Sequence, residues 1–510
     1  MQKVIILDFG SQYTQLIARR VRDFGVYAEI YPNNISIEKI IKHNPVGIIL
    51  SGGPKSVNAK DAALVHKKMF ELNIPVLGVC YGMQLIAKLF GGKVSKGING
   101  EYGKAILEVK QFDSKLFSKV KIASTVWMSH FDEVKQLPKN FETIATSGNC
   151  IAAMQNESAN IYAIQFHPEV SHSQEGNKIL KNFLFNICKA KKDWTVKNNV
   201  AQKIDAIKKQ VGNNKVVIGL SGGVDSTVAA ILLQKAIGKN LTCIFVNNGL
   251  LRLKEAENVL KVYGKHFKLN IVYADASQLF IEALKGVSHP EEKRKIIGKL
   301  FIDVFATEAK KLNSIKYLAQ GTIYPDVIES SSHNGNSVTI KTHHNVGGLP
   351  KNLNFELVEP LRDLFKDEVR KIGLELGIDK ELVYRHPFPG PGLAVRILGD
   401  ITQEKINILQ QADNIFITEL IKHNYYYKSS QAFVVLLPVK TVGVMGDERT
   451  YEFTVAIRCV DTTDFMTASF SHLPFNFLEM VSTRIINEVT NINRVVYDIS
   501  NKPPATIEWE

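Results

Sequence analysis

Short apolar segments alternate with amphipathic segments over the first 190 residues of the 510-residue chain. The apolar segments KVIILDFG, VGIILSGGP and IPVLGVC are rich in β-branched residues and end in turn-forming residues, as buried strands do. Segments such as SQYTQLIARRVRDFG and YGMQLIAKLFGG have the apolar spacing of a helix that buries one face. This alternation predicts an α/β domain with a parallel sheet over residues 1–190.

The same pattern begins again at Lys215. A strand-like segment KVVIGL leads into the loop SGGVDS, and a helix-like segment TVAAILLQKAIG precedes a second apolar run, LTCIFVNNG. These segments predict a second parallel-sheet α/β domain over residues 211–385. The stretch 191–210 is charged and poor in apolar residues, so we interpret it as a linker between the two domains.

A third pattern follows the proline- and glycine-rich segment RHPFPGPGLAVR. One long amphipathic segment, DITQEKINILQQADNIFITELIKH, precedes the strand-like runs QAFVVLLPV, TYEFTVAIRCV and INRVVYDIS. A helix followed by several strands is typical of an α+β arrangement. We therefore predict a smaller α+β domain over residues 386–510.

Composition narrows the class of protein. Hydrophobic residues make up 45% of the chain and charged residues 22%, which is the balance of a globular protein with about three domains. The longest nearly continuous apolar stretch, residues 432–439, is too short to span a membrane. The N-terminal segment has too short an apolar run for a secretion signal, so we expect a cytoplasmic protein without a membrane partner.

Cysteine spacing and net charge leave several chemistries open. The five cysteines form no CxxC pair, so the sequence predicts neither a disulfide framework nor a zinc site. The net charge of +13 suits a nucleic-acid-binding protein and equally suits an enzyme with phosphorylated substrates. The cysteines are Cys80, Cys150, Cys188, Cys243 and Cys459.

Cys80 lies in a segment typical of a nucleophile elbow. Gly78 and Gly82 flank it at two residues' distance, where an apolar strand meets a helix. The N-terminal end of that helix favours a thiolate. The later segment QFHPEV supplies His167 as a base and Glu169 as a carboxylate that can orient the imidazole. Together these residues predict a cysteine, histidine and glutamate triad.

Residues 1–190 resemble the class I glutamine amidotransferases, which carry a GxCxGxQ elbow and a later HPE motif. The resemblance implies that Cys80 is the nucleophile, that His167 is the general base and acid, and that Glu169 orients the histidine. The loop SGGP at residues 51–54 also matches this family. It would supply the N–H of Gly53, together with that of Tyr81, as an oxyanion hole.

The loop SGGVDS follows a strand and opens a helix, where backbone N–H groups and the helix dipole can hold an anion. It lacks the lysine of the loops that transfer a γ-phosphate. It resembles the loop of the ATP pyrophosphatases, which cleave ATP between the α and β phosphates. Asp225 is the candidate Mg²⁺ ligand. The predicted ATP-binding residues of the loop are Ser221, Gly222, Gly223, Val224, Asp225 and Ser226.

The chain as a whole resembles the family of glutamine-hydrolysing GMP synthases, from DFGSQYTQLIARRVR through LVEPLRDLFKDEVR and HPFPGPGLAVR to KPPATIEWE. The resemblance implies glutamine, ATP and xanthosine monophosphate (XMP) as substrates, and a homodimer formed by the third domain. It implies that Lys341 and Lys366 contact ATP phosphates, Lys341 within a lid, TIKTHHNVGGLP. The implied XMP-binding residues are Arg294, Gln431, Lys502 and Glu508.

Three other functions compete with this interpretation. An asparagine synthetase usually has its nucleophile at residue 2, which is Gln2 here, and an NAD synthetase uses a glutaminase without the HPE motif. A nucleic-acid-binding protein is supported by the net charge and by aromatic residues beside a lysine, as in YYYK at 425–428. We expect no nucleic-acid partner.

Overall fold

The computed structural model describes residues 1–331, 355–462, 465 and 467–510. The chain forms two compact units, Met1–Asn199 and Val200–Glu510. Among the described helices, none has the length and apolar character needed to cross a membrane. The predicted boundaries at residues 190, 210 and 385 stay predictions.

The first unit is built around one mixed sheet, in the order β2-β1-β3-β4-β9-β8-β7-β5-β6. Its strands are β1 (Lys3–Asp8), β2 (Tyr27–Pro32), β3 (Gly47–Leu50), β4 (Val76–Val79), β5 (Lys93–Val109), β6 (Ala123–Gln136), β7 (Glu142–Ser147), β8 (Cys150–Asn156) and β9 (Ile161–Ile164). Its helices are α1 (Thr14–Asp23), α2 (Ile37–His43), α3 (Tyr81–Leu89) and α4 (Gly176–Lys181), with a π-helical turn at Asn182–Ile187 and 3₁₀ turns at Lys67–Leu72 and Glu157–Ala159.

The predicted parallel sheet forms half of this mixed sheet. Strands β2, β1, β3, β4 and β9 run parallel, and β8, β7, β5 and β6 continue the sheet with antiparallel pairing. The parallel strands β3, β4 and β9 are completely buried, as strands covered on both faces are. Because β3, β4 and β9 are neighbouring parallel strands, the segments that follow them meet at one edge of the sheet. Those segments carry SGGP, Cys80 and QFHPEV.

The second unit contains a parallel sheet in the order β12-β11-β10-β13-β14 and a sheet in which β15, β17 and β18 all pair with β16. Its strands are β10 (Lys215–Gly219), β11 (Leu241–Asn247), β12 (Ile271–Asp275), β13 (Ile315–Ala319), β14 (Glu356–Val358), β15 (Gln431–Met445), β16 (Glu448–Asp461), β17 (Ser469–Phe470) and β18 (Ile492–Tyr497).

The helices of this unit flank both sheets. They are α5 (Val196–Val211), which begins before the boundary between the units, α6 (Val224–Ile237), α7 (Glu255–Val259), α8 (Ser277–Ala283), α9 (Pro290–Lys310), α10 (Tyr324–Ser331), α11 (Lys366–Glu375), α12 (Lys380–Val383), α13 (Gln403–Lys422) and α14 (Phe475–Glu488). Shorter helical turns lie at Gly238–Asn240, Leu260–His266 and Gly392–Arg396.

Helix α5 occupies most of the segment predicted as a linker. Its buried positions include Asn199, Ile207 and Val211, so a largely polar sequence still packs one side. One continuous apolar core then joins the two sheets of the second unit, from Val217 on β10 to Ile457 on β16. The segments predicted as separate second and third domains therefore share a core within one compact unit.

Candidate functional sites

Cys80 lies at the turn between β4 and α3 and has a strained backbone, with φ 52° and ψ −104°. A Cβ at Gly78 would lie 2.7 Å from the carbonyl of Gly82, and a Cβ at Gly82 would lie 2.5 Å from the backbone oxygen of Leu50. Neither position can hold a side chain without moving backbone. The two glycines thus let α3 pack directly on β3 and β4, and this contact fixes the turn that carries the thiol.

The predicted triad residues are close together in the structure. His167 Nδ1 lies 2.7 Å from Glu169 Oε1, and the imidazole makes a hydrogen bond with Cys80. All three side chains are buried. The ring of Tyr13 contacts the imidazole edge-on at 4.9 Å, and a Cβ at Gly52 would lie 3.1 Å from His167 Cε1. His167 is therefore held between a thiol and a carboxylate.

This arrangement raises the pKa of His167. Burial by itself lowers that pKa, but the carboxylate of Glu169 and the hydrogen bond with Cys80 outweigh burial and raise the pKa to about 10. The imidazole is therefore protonated at neutral pH in the folded protein. A protonated imidazole beside a thiol favours the thiolate, which is the nucleophilic form of cysteine.

We expect the pKa shift of His167 to appear as pH-dependent stability. Because the folded protein holds this proton more tightly than the unfolded chain, the contribution is fully present below pH 6.5 and is lost as pH rises towards 10. The difference in free energy of unfolding between the wild type and Glu169→Gln should therefore shrink from pH 6 to pH 10 in urea titrations. In Glu157→Gln, which removes an exposed carboxylate of the same unit, this difference should stay constant. A constant difference for Glu169→Gln would contradict the prediction.

The predicted oxyanion hole has two available donors. Within the described residues, the backbone N–H groups of Gly53 and Tyr81 have no hydrogen-bond partner. A Cβ at Gly53 would lie 3.2 Å from Tyr81 Cγ, so the SGGP loop contacts the first turn of α3. The arrangement places two free donors beside the nucleophile.

Three polar groups around the thiol did not enter the sequence prediction. The backbone oxygen of Ser129 lies 3.6 Å from Cys80 Sγ, and Gln165 Nε2 lies 3.7 Å from it. Gln84 Nε2 donates to the backbone oxygen of Asp132 at 2.6 Å and contacts Gln165 at 3.3 Å. Gln84 lies in the motif GVCYGMQ and Gln165 in QFHPEV, so the two motifs could have indicated that these glutamines belong to the site. Ser129 lies in no such motif, so the sequence does not indicate its role.

The loop SGGVDS connects β10 to α6, as its sequence predicts. Gly222 has φ 73°, and Gly223 is the N-cap of α6. The Oγ atoms of Ser221 and Ser226 are 2.9 Å apart, which closes the loop. In the described part of the chain, the N–H groups of Val224, Asp225 and Ser226 have no partner. The loop thus presents backbone donors at a helix N-terminus to an anion.

Lys366 reaches this loop from a distant part of the chain. It is the first residue of α11, and its ammonium forms an ion pair with Asp225 Oδ2. The other carboxylate oxygen, Oδ1, is buried and has no partner among the described residues. Lys341 and the predicted lid lie outside the described residues.

A buried ion pair supports the same loop, and the sequence did not single it out. Arg385 donates to Glu255 at 2.5 Å, and both side chains lie within 4 Å of the point where a Cβ of Gly222 would be. Burial alone would lower the pKa of Arg385, but the carboxylate of Glu255 outweighs burial and raises it. Arg385 lies in the segment RHPFPGPGLAVR. The glycine and proline content of that segment predicted a domain boundary and gave no indication of this ion pair.

The structure brings together two of the four predicted XMP residues. Gln431 Nε2 donates to Glu508 Oε1 at 2.7 Å, and the buried Arg396 forms two hydrogen bonds with the same carboxylate. Arg294 instead donates to the backbone oxygen of Glu510 at 2.6 Å, and Lys502 Nζ donates to a backbone oxygen at 2.7 Å.

The C-terminal segment is thus held by buried cations. Besides Arg396, Lys293 donates to Glu510 at 2.5 Å, and Arg458 donates to the backbone oxygens of Ser500 and Thr506 at 2.6 and 3.1 Å. A cavity of about 530 Å³ lies beside the segment, lined by residues of β18 and by the tail up to Trp509. The sequence gives no indication of these buried cations, because buried Lys and Arg look like surface residues in a single sequence.

The first unit has the fold and the nucleophile elbow of a glutaminase, and the second has a phosphate-binding loop on a parallel sheet. Together they define the class of ATP-dependent ligases that carry a glutamine amidotransferase domain. Three family models match the chain: "Glutamine amidotransferase class-I" at residues 5–187, "NAD synthase" at 196–282 and "GMP synthase C terminal domain" at 418–509.

Several relatives, all named glutamine-hydrolysing GMP synthase, match this chain over its full length. The glutamine-hydrolysing GMP synthase of Fusobacterium nucleatum subsp. nucleatum is 60% identical over 507 residues, covering 99% of each chain. Those of Spiroplasma kunkelii and Brachyspira hyodysenteriae are 58% and 56% identical, covering 100% of this chain and 99% of each relative. The chain belongs to the family of glutamine-hydrolysing GMP synthases. Its activity is glutamine-dependent synthesis of GMP with ATP.

Proposed function

We propose that the chain divides this reaction between Cys80 in the first unit, which releases ammonia from glutamine, and the loop 221–226 in the second, which activates XMP with ATP. The observation that carries the proposal is the hydrogen-bonded series Cys80, His167 and Glu169 on a strained elbow. A strained backbone at a polar, buried group is typical of a catalytic site. The division 1–190, 191–210, 211–385 and 386–510 remains our proposal for the domain limits.

The proposed glutaminase reaction begins at Cys80. Its thiolate attacks the carboxamide carbon of glutamine, and the N–H groups of Gly53 and Tyr81 stabilise the oxyanion. His167 gives its proton to the departing ammonia, and then takes a proton from the water that hydrolyses the thioester to glutamate. Glu169 holds the imidazole in position and stabilises its protonated form.

In the proposed synthetase reaction the C2 oxygen of XMP attacks the α-phosphorus of ATP, and pyrophosphate leaves. Ammonia then displaces AMP and gives GMP. The N–H groups of residues 224–226 and the side chains of Lys366 and Lys341 would bind the ATP phosphates. Enclosure of this intermediate by a lid at residues 339–350 would exclude water.

Asp225 fits a magnesium ion, because its Oδ1 atom is a buried acceptor without a partner in the described part of the chain, and a hard cation prefers carboxylate oxygen. When bound, Mg²⁺ would neutralise charge on the phosphates. Its ligand would be Asp225, whose present partner, Lys366, is itself a proposed phosphate-binding residue. The two proposed roles are compatible, because the ammonium can pass from the carboxylate to a phosphate.

Arg294, Gln431, Lys502 and Glu508 are the proposed XMP residues. Gln431 and Glu508 form one hydrogen-bonded pair, and a carboxylate fixed by Arg396 can accept from ring N–H or ribose hydroxyl groups. The ammonium of Lys502 donates to the neutral backbone carbonyl of Phe465, so its positive charge remains available for a phosphate.

Lys502→Ala should raise the apparent KM for XMP about 10- to 100-fold, since it removes one charge-assisted hydrogen bond of roughly 1.5 to 3 kcal/mol. Deletion of residues 502–510 should raise it further, because Glu508 and the contacts of Glu510 are lost as well. Steady-state titration of XMP measures both effects, and glutamate release from glutamine should be unchanged. An unchanged KM in Lys502→Ala would remove this residue from the proposed site.

We also propose a cytoplasmic homodimer that binds no nucleic acid. Val442, Val444 and Tyr451 are 50 to 72% exposed on the β15–β16 hairpin, which supports a contact between copies through the C-terminal region. Sedimentation equilibrium of the full chain tests the dimer. Binding of random oligonucleotides with a steep salt dependence would contradict the absence of a nucleic-acid partner.

One assay tests the proposed function as a whole. The protein is incubated with ATP, magnesium, XMP and glutamine, and GMP, AMP, pyrophosphate and glutamate are measured together. We expect GMP, AMP and pyrophosphate in equal amounts and glutamate in at least that amount. Formation of ADP and phosphate in place of AMP and pyrophosphate would exclude the proposed role of the phosphate loop.

A further inference from the structure

Glu101, His130 and Cys150 form a cluster in the first unit that plays no part in the proposed reaction. Glu101 on β5 and His130 on β6 are direct cross-strand neighbours, and Cys150 is the first residue of β8. One potential ligand atom from each residue lies within 4.8 Å of the other two. His130 and Cys150 are buried, and Glu101 is partly exposed.

The Nε2 atom of His130 faces the carboxylate of Glu101 within this cluster. Its Nδ1 lies 3.1 Å from the backbone oxygen of Asp132. A carbonyl only accepts hydrogen bonds, so Nδ1 carries a proton, and in the neutral ring Nε2 then keeps a lone pair that can bind a cation. The residue is only 7% exposed, and Nε2 makes no hydrogen bond within the described residues. A backbone contact of this kind commonly orients a metal-binding histidine.

The carboxylate of Glu101 faces the same nitrogen. Glu101 Oε2 lies 3.2 Å from His130 Nε2, yet this buried oxygen also lacks a hydrogen bond within the described residues. Two electron-rich atoms at this distance repel each other unless a proton or a cation lies between them. Ligand atoms about 2.0 to 2.1 Å from a tetrahedral zinc ion are about 3.3 Å apart, close to the observed separation.

We propose that Glu101, His130 and Cys150 bind a zinc ion. Carboxylate, imidazole and thiolate are all zinc ligands, and thiolate favours zinc over magnesium or calcium. On binding, the Cys150 thiol transfers its proton to solvent, and the sulfur moves towards the other two ligand atoms. Water completes the coordination on the exposed side of Glu101. One thiolate and one carboxylate balance the charge of the zinc ion, and the carboxylate of Glu133 also lies beside the Cys150 thiol.

The proposed zinc site lies close to Cys80, so the test must separate metal binding at the two places. Ser129 precedes His130, and its backbone oxygen lies 3.6 Å from Cys80 Sγ. Cys80 and His167 could also bind a soft cation, so every measurement uses the Cys80→Ala protein as background. Co²⁺ serves as the probe, because a thiolate ligand gives it a charge-transfer absorption in the near ultraviolet.

We expect the full-length Cys80→Ala protein, stripped with a chelator, to bind one Co²⁺ with this absorption, and Zn²⁺ to displace it. Adding Cys150→Ser should abolish the absorption, and adding His130→Gln should weaken binding at least about 10-fold. Adding Cys188→Ser, which removes another buried thiol of the same unit, should change neither. Circular dichroism checks that each variant is folded, and His130→Gln serves as the test if Cys150→Ser is not.

Two results would overturn the proposal. One is the absence of thiolate absorption in the Cys80→Ala protein, which would assign any cobalt thiolate of the wild type to the glutaminase triad. The other is cobalt binding that does not depend on the cluster, seen as absorption that persists when Cys150 is replaced or as binding that is unaffected by His130→Gln. Both results leave the proposed function intact, since the cluster lies outside the triad.

Discussion

Cys80→Ala should abolish GMP synthesis from glutamine and leave synthesis from added ammonium near the wild-type rate. The thiolate is needed only to open the carboxamide, whereas the phosphate loop uses ammonia itself. Loss of a catalytic nucleophile lowers kcat by roughly 10⁴-fold or more. Glutamate release should fall by the same factor as glutamine-dependent GMP formation, and both are measured in one reaction mixture.

A matched control separates chemistry from packing. Cys188 is a buried thiol in the same unit, and its sulfur packs against Gly47, at the opposite end of β3 from Leu50, which contacts the elbow. Cys188→Ala should keep both glutamine-dependent and ammonium-dependent synthesis. If Cys80→Ala lost both activities to the same extent, the proposed division between the two units would be wrong.

Asp225→Ala should stop GMP formation with either nitrogen source. The substitution removes the carboxylate proposed to hold magnesium, and it leaves Lys366 without the partner that now fixes its ammonium beside the loop. The loss of one group that stabilises developing charge costs at least about 10²-fold in rate. Release of pyrophosphate from ATP in the presence of XMP is the direct measurement, because it does not depend on the nitrogen source.

Two further variants sharpen this test. Asp225→Asn keeps the size of the side chain but removes its charge, so it should be nearly as impaired as Asp225→Ala. Asp303→Ala removes an exposed carboxylate on α9 and should be fully active. Continued pyrophosphate release at a near wild-type rate in Asp225→Ala would show that the loop has been misassigned. Glutaminase activity of the variant is measured beside that of the wild type, since coupling between the two sites alters it.

The sequence by itself determined the parts of both sites that depend on neighbouring residues. The elbow works because Gly78 and Gly82 lie two residues from Cys80, and a Cβ at Gly78 would clash with the carbonyl of Gly82 within the same turn. The phosphate loop works because two glycines stand between a strand and the helix that follows. Such features need no distant contact, so a short motif specifies them. The alternation of strand and helix likewise predicted the two parallel sheets.

Strand order and long-range packing decided the rest. The parallel order β3-β4-β9 brings His167 to Cys80 across 87 positions of sequence, and an ion pair joins Lys366 to Asp225 across 141. The sequence did not predict the antiparallel half of the first sheet. For that reason it also did not predict that Glu101 pairs with His130 beside Cys150. No short sequence motif indicates this cluster, because its three residues come from three different strands.

The tertiary structure also decided which charged residues are buried. Lys293 and Arg458 look like surface residues in the sequence, yet they are completely buried and hold the C-terminal segment. The polar helix α5 packs where a linker was predicted. In each case the deciding contact lies far along the chain, and the free energy of burying a charged or polar side chain depends on partners that a local pattern does not contain.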